Sequence, residues 1–135
     1  MNSKIFLFIA LVLLPLFVNA QSGSIRVECR SYRQETKKQL VFDRKGQTNI
    51  FLVNVYKNGD VIHYTQADRK ATYKMVKYMG RTKNGKTEND SWLMNYDGTD
   101  IFFGLTFIGD DLLCVTIYFI ESESMLIYYD VVGDE

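Results

Sequence analysis

Two cysteines, Cys29 and Cys114, and one histidine, His63, are the side chains here with the widest chemical reach. Two distant cysteines in an exported chain predict one disulfide, Cys29–Cys114. It would close a loop of more than 80 residues, worth on the order of 4 kcal/mol in the chain-entropy picture. The alternative is a pair of buried free thiols. A lone histidine cannot join a multi-histidine zinc site. It supports nucleophilic catalysis only as the single base. Folding the chain about Asn58-Gly59 sets His63 opposite Asn54, a structural pairing.

Carboxylates are more numerous. Asp97-Gly98-Thr99-Asp100 and Asp110-Asp111 bring oxygen ligands together, but neither has EF-hand spacing, and both fit turns in solvent. Asp90 falls on a strand beside Lys77, where a rim salt bridge accounts for it. A glycosidase pair would need two acids inside one cleft. The chain also lacks a glycine-rich phosphate loop. Asn89-Asp90-Ser91 is a glycosylation sequon, meaningful only in a eukaryotic secretory route. No catalytic residue, metal site or cofactor is therefore expected, and the chain reads as a non-enzyme.

The elements that would position these residues begin with a leader. Met1-Asn2-Ser3-Lys4 is basic, residues 5–18 are apolar around Pro15, and Val18-Asn19-Ala20 offers a cleavage site. This is the pattern of a secretory signal peptide cut after Ala20. The apolar run is shorter than the roughly 20 residues a membrane helix needs. The expectation is a secreted or periplasmic protein without an integral anchor, its single domain spanning residues 21–135.

Charge is balanced overall and divided along the chain. Residues 21–86 hold 15 basic and 5 acidic side chains, whereas residues 87–135 hold 11 acidic and none basic. Such division suits a dipolar molecule with one face for each kind of partner. It equally suits internal complementarity between early and late strands. Export and overall neutrality argue against nucleic acid as the partner.

Aromatic and β-branched residues dominate, and turn signals recur at Asn58-Gly59, Asn84-Gly85, Asp97-Gly98, Gly109-Asp110 and Ser122-Glu123. Folding about the last four carries one apolar face through Tyr73, Met75, Trp92, Met94, Ile101, Phe103, Leu105, Leu112, Cys114, Tyr118, Met125 and Tyr129. The prediction is an all-β antiparallel meander of eight or nine strands, closed or nearly closed as a barrel. The first strand would lie beside the penultimate one. A two-sheet sandwich is the alternative. A third reading is α+β with a helix at 66–79, from Ala67, Ala71, Met75 and Met79 at four-residue spacing. The meander resembles lipocalins in architecture only. The first strand carries no Gly-x-Trp, and the sole tryptophan, Trp92, lies mid-chain after Ser91.

Two functions follow from this arrangement. The late strands carry a second apolar set, Phe102, Leu113, Val115, Ile117, Phe119 and Tyr128. Exposed, it would make an interaction surface for another protein or for a second copy. Alternatively, an inward set of Tyr73, Met75, Trp92, Met94, Tyr96, Phe103, Tyr118 and Tyr129 would hold a small apolar or aromatic ligand inside the barrel. Those inward side chains would otherwise simply fill the core.

Overall fold

The computed structural model describes residues 23–133 apart from 55 and 66–68. The predicted leader and its cleavage site lie outside the described residues. Eight strands follow in order: β1 (Ile25–Thr36), β2 (Gln39–Val53), β3 (Val61–Tyr64), β4 (Lys70–Asn84), β5 (Thr87–Tyr96), β6 (Thr99–Ile108), β7 (Asp111–Phe119) and β8 (Ser124–Val131). Each pairs antiparallel with the next, and β1 pairs with β8, so the ladder closes on itself. The ring replaces the sandwich alternative. The helix alternative falls where β4 runs as a strand from Lys70.

Two turns follow the sequence pattern. Asp97 and Gly98 both take positive φ, at 52° and 85°, as a type I′ turn requires. Met94 then faces Ile101, and Trp92 faces Phe103. At Gly109-Asp110, Ile108 pairs with Asp111 and Phe107 with Leu112, as expected.

Elsewhere the chain departs from simple hairpins. Asn58-Gly59 belongs to a loop from Asn54 to Asp60. Asn54 takes φ 61° there, and its side-chain oxygen accepts from the Gly59 amide at 2.7 Å. Val53 therefore faces Val61 and not Tyr64, and His63 faces Phe51 and not Asn54. The fourth hairpin turns at Gly85-Lys86, with Asn84 facing Thr87. Two bulges in β4 then restore Met75 opposite Met94. Val76 occupies one bulge, and Lys77 faces Leu93 in place of the Val76 that folding about Asn84-Gly85 would set there.

The most consequential bulge lies in β7. Thr106 faces Cys114 while Phe107 faces Leu112, leaving Leu113 as an extra residue. One inserted residue moves every later side chain to the other face, because strand side chains alternate with period two. Val115 and Ile117 are consequently buried inside the ring, and Phe119 packs against the core. Tyr118 pairs with Phe102 on the outer face. Folding about Ser122-Glu123 sets Tyr118 opposite Ile127; it lies opposite Met125 instead, a two-residue shift that keeps faces, so it is the β7 bulge that turns Tyr128 inward beside Val115.

The interior is filled by Phe51, Val61, Tyr73, Trp92, Met94, Ile101, Phe103, Val115, Ile117 and Tyr128. Near one end, Asp90 is also buried. Its carboxylate accepts from Arg81 at 2.9 and 2.8 Å and from the Tyr78 hydroxyl at 2.8 Å. Arg81 also reaches Glu88 at 3.0 Å. Arg81, not Lys77, is thus Asp90's ion-pair partner, because the displaced turn sets Arg81 directly opposite it. This pair joins the basic and acidic halves of the chain at the β4–β5 seam.

The two carboxylates around Arg81 differ in burial, and so in energetic weight. Asp90→Ala is expected to destabilise the fold by about 2–4 kcal/mol, since it orphans two donors. Glu88→Gln should cost less than about 1 kcal/mol, as exposed pairs do. Chemical denaturation of both variants measures the difference, and equal losses would contradict this assignment.

Candidate functional site

β3 has only four residues, and that shortness shapes the molecule. β2 pairs with β3 only from Ile50 to Val53. Its preceding residues pair with β1 alone among the described residues, so the β1–β2 hairpin runs on past the end of β3. The inner side of this hairpin, the first half of β8 and the residues Thr65 and Arg69 border a cleft of about 630 Å³. Its lining includes Tyr32, Gln34, Phe42, Gln47, Asn49, Thr65, Arg69, Leu126 and Tyr128. That volume lies in the range of small-molecule sites.

Aromatic rings form the wall. Tyr32 stacks on Tyr128 with centroids 5.4 Å apart, and Phe42 meets Tyr32 edge-on at 5.6 Å. Arg44 lies over the Phe42 ring at 4.5 Å and reaches the Tyr32 hydroxyl at 3.5 Å. Gly46, at φ 76°, lies where three residues of β2 oppose one of β1, between the Cys29–Asn49 and Ser31–Lys45 pairs. The positive φ suits glycine, and the bulge separates the projecting part of β2 from its core part.

The floor is polar. His63 is 3 % exposed and Asn49 4 %. His63 Nε2 lies 2.8 Å from Asn49 Oδ1, and its Nδ1 lies 2.7 Å from the Tyr73 hydroxyl. An amide oxygen only accepts, so Nε2 carries the proton. Nδ1 then accepts from Tyr73. The imidazole, neutral because burial disfavours its charged form, is held between Phe51 at 4.2 Å and Tyr128 at 5.3 Å. Burial lowers the His63 pKa to about 4. Both ring nitrogens are committed, which leaves no free base. The lone histidine, expected to be structural, is the cleft's underpinning.

The predicted site residues are dispersed by the fold. Of the proposed interaction surface, Val115, Ile117 and Tyr128 are buried and Phe119 packs on the core, leaving Phe102 and Leu113 toward the outside. Of the proposed ligand set, Tyr73, Trp92, Met94 and Phe103 are buried in the packed interior, with Met75 packed against it. Tyr96 is exposed at the rim but touches Tyr73 edge-on at 5.3 Å. Tyr118 and Tyr129 lie outside, where Tyr129 donates to Asp43.

Cys29 and Cys114 are free thiols in this structure, so the expected bond is not formed. β1 neighbours β8 and not the penultimate strand, which places β8 between the two cysteines' strands. Burial first, then the nearby Cys114, Asp130 and Glu28, pushes the Cys29 thiol up to about 12. Among the described residues, no group of three His, Cys, Asp or Glu side chains is placed to hold a metal.

The cleft was missed in the sequence because its aromatic residues stand singly, each with a charged neighbour on one side only. Tyr32 sits between Ser31 and Arg33, and Phe42 between Val41 and Asp43. A second cleft of about 500 Å³ at the other end is lined by Ile25, Leu105, Phe107, Asp110, Asp111 and Val132, among others.

His63 makes stability depend on pH. Unfolded, it binds a proton below about 6.5, whereas folded it resists protonation down to about 4. Its contribution is therefore complete above pH 6.5 and lost as pH falls toward 4, on the order of 3 kcal/mol in all. Denaturation midpoints from pH 7.5 to 4 should show this slope, and His63→Phe should flatten it. An unchanged slope in that variant would count against the assignment.

No protein-family model, curated protein or solved structure matches the chain.

Proposed function

We propose that this is a non-catalytic binding protein, exported by its leader, that seats a small ligand in the cleft at the mouth of the ring. The observation that carries this reading is a concave site of about 630 Å³ with Tyr32, Phe42 and Tyr128 on its wall and Asn49 in its lining. Apolar walls with a few fixed polar groups are the usual composition of ligand sites. The packed interior supports the mouth, and not the centre, as the place of binding. Fixed by the core, the floor needs little reordering when a ligand arrives, which favours affinity.

Among the described residues His63 offers the cleft no free base, which supports binding over catalysis. His63 is the only histidine, and its two nitrogens are taken by Asn49 and Tyr73.

A second reading, contact with another protein or a second copy, draws on the outer face. There Phe102 and Tyr118 stack at 6.5 Å beside a groove over Gly104 that Met125 also lines. Sedimentation at low salt tests it. A concentration-dependent dimer weakened by Tyr118→Asp supports this reading, and a monomer at all concentrations removes it.

For the cleft, amide-shift titrations with a panel of small aromatic compounds are the test. Shifts are expected to cluster on Tyr32, Phe42, Asn49, Thr65 and Tyr128. Phe42→Ala should weaken binding about tenfold, the scale of one lost aromatic contact with its buried area. Shifts confined to the other mouth, or none with any compound, would overturn the reading.

A further inference from the structure

Resting on the cleft as a ligand site, we infer that its ligand is a flat anion, a planar ring bearing one carboxylate. The argument begins with the direction of the hydrogen bonds in the floor. Tyr73 donates to His63 Nδ1, and His63 donates to Asn49 Oδ1. This chain has one polarity. Asn49's oxygen is consumed, and its amide nitrogen is the group left to face the cleft. An amide nitrogen only donates. A ligand meeting the floor must therefore bring an acceptor.

The rim points the same way. Arg69 is exposed at the cleft and has no ion pair among the described residues. Arg44 stands behind the wall, over Phe42 and on the Tyr32 hydroxyl. Neither aspartate nor glutamate is among the described lining residues. The opposite mouth differs, because Asp110 and Asp111 line it beside an Arg26 that pairs with Glu28. Thr65 Oγ1 is buried without a hydrogen-bond partner among the described residues, and Thr65 lines this same cleft. A hydroxyl can supply one more donor to an oxyanion.

The ring requirement comes from the wall. Tyr32 and Tyr128 stack nearly parallel at 16°, with Phe42 edge-on to Tyr32 at 85°. Flat aromatic faces favour a flat partner, in offset or edge contact. One lining guanidinium, Arg69, matches a single negative charge, and the amides of Gln34, Gln47 and Asn49 can add donors beside it. A planar carboxylate fits the guanidinium fork with two parallel bonds. The ring would lie against Tyr32 and Phe42, with its carboxylate between Arg69 and Asn49.

Indole-3-acetate and indole-3-acetamide, nearly equal in shape, separate charge from ring. Calorimetric titration of the full mature chain with each, at low salt, is the experiment. The acetate is expected to bind about tenfold more tightly, as a charge-assisted bond on a solvent-facing site allows. Added salt should narrow that gap. Arg69→Gln should weaken acetate binding about tenfold and so remove the gap, with a smaller loss for the acetamide. Equal affinities with shifts in the cleft would overturn the anion inference and leave the cleft reading standing. Tighter binding of phenyl phosphate than of the acetate would overturn the carboxylate. Failure of both indoles to bind would overturn this inference; the cleft reading itself falls only if the whole aromatic panel fails.

Discussion

Closure of the ladder between β1 and β8 is the constraint on which the rest depends. Seven residue pairs, from Cys29–Val131 to Thr36–Ser124, seal the ring. An open sheet can cover its apolar face in several ways, but a closed one has a single inside. Every register and every bulge then decides whether a side chain fills that inside or meets solvent. Bulges in β2, β4 and β7 adjust the ladder without opening it. The same devices also blunt exposed strand edges. β4 has its two bulges, and the Asp60 carboxylate takes the Met75 amide at 2.9 Å, occupying a ladder position that β3 is too short to reach.

The architecture was legible in the sequence because turn chemistry is local. Asp97-Gly98 and Gly109-Asp110 can be read from φ requirements alone, and they set β5, β6 and the start of β7 in register. The inside–outside assignment of the late strands was not legible. Leu112-Leu113-Cys114-Val115 is apolar on both faces, so a one-residue bulge leaves no trace in the alternation. A strand with one polar face would have exposed the slip. The same weakness explains why the expected contact surface turned out to be mostly core. Asn58-Gly59 misled for another reason. Asn54, four residues earlier, takes positive φ and caps the loop with its own side chain. Nothing in a two-residue motif reports such a distant partner.

The candidate site was illegible because it is made by omission. A four-residue β3 leaves the inner side of β1 and β2 uncovered, and no single residue announces that. His63 was visible as the lone histidine, but its partners Asn49 and Tyr73 come from flanking strands that only the register brings together. A buried polar chain of this kind is costly unless every member is satisfied. Here the cost is met by termination. The chain begins at a Tyr hydroxyl in the core and ends at an amide in the cleft lining, where the last donor can meet water or a ligand.

That arrangement also explains how charge is distributed. Ion pairs hold only part of the basic half. Arg26, Arg30 and Arg33 pair with Glu28 and Glu35 inside β1, and Arg81 alone among the described residues pairs with the acidic half, at the β4–β5 seam. Internal complementarity therefore consumes little of the division seen in the sequence. The remaining basic residues of β2 and β4 stay on one side, and the acidic turns Asp97–Asp100 and Asp110–Asp111 on the other strands. A field so divided is not needed to hold the ring, whose interior is apolar and closed. It runs instead around the ring, from the basic strands β2 and β4 to the acidic turns between β5, β6 and β7, which lie at opposite ends of β6.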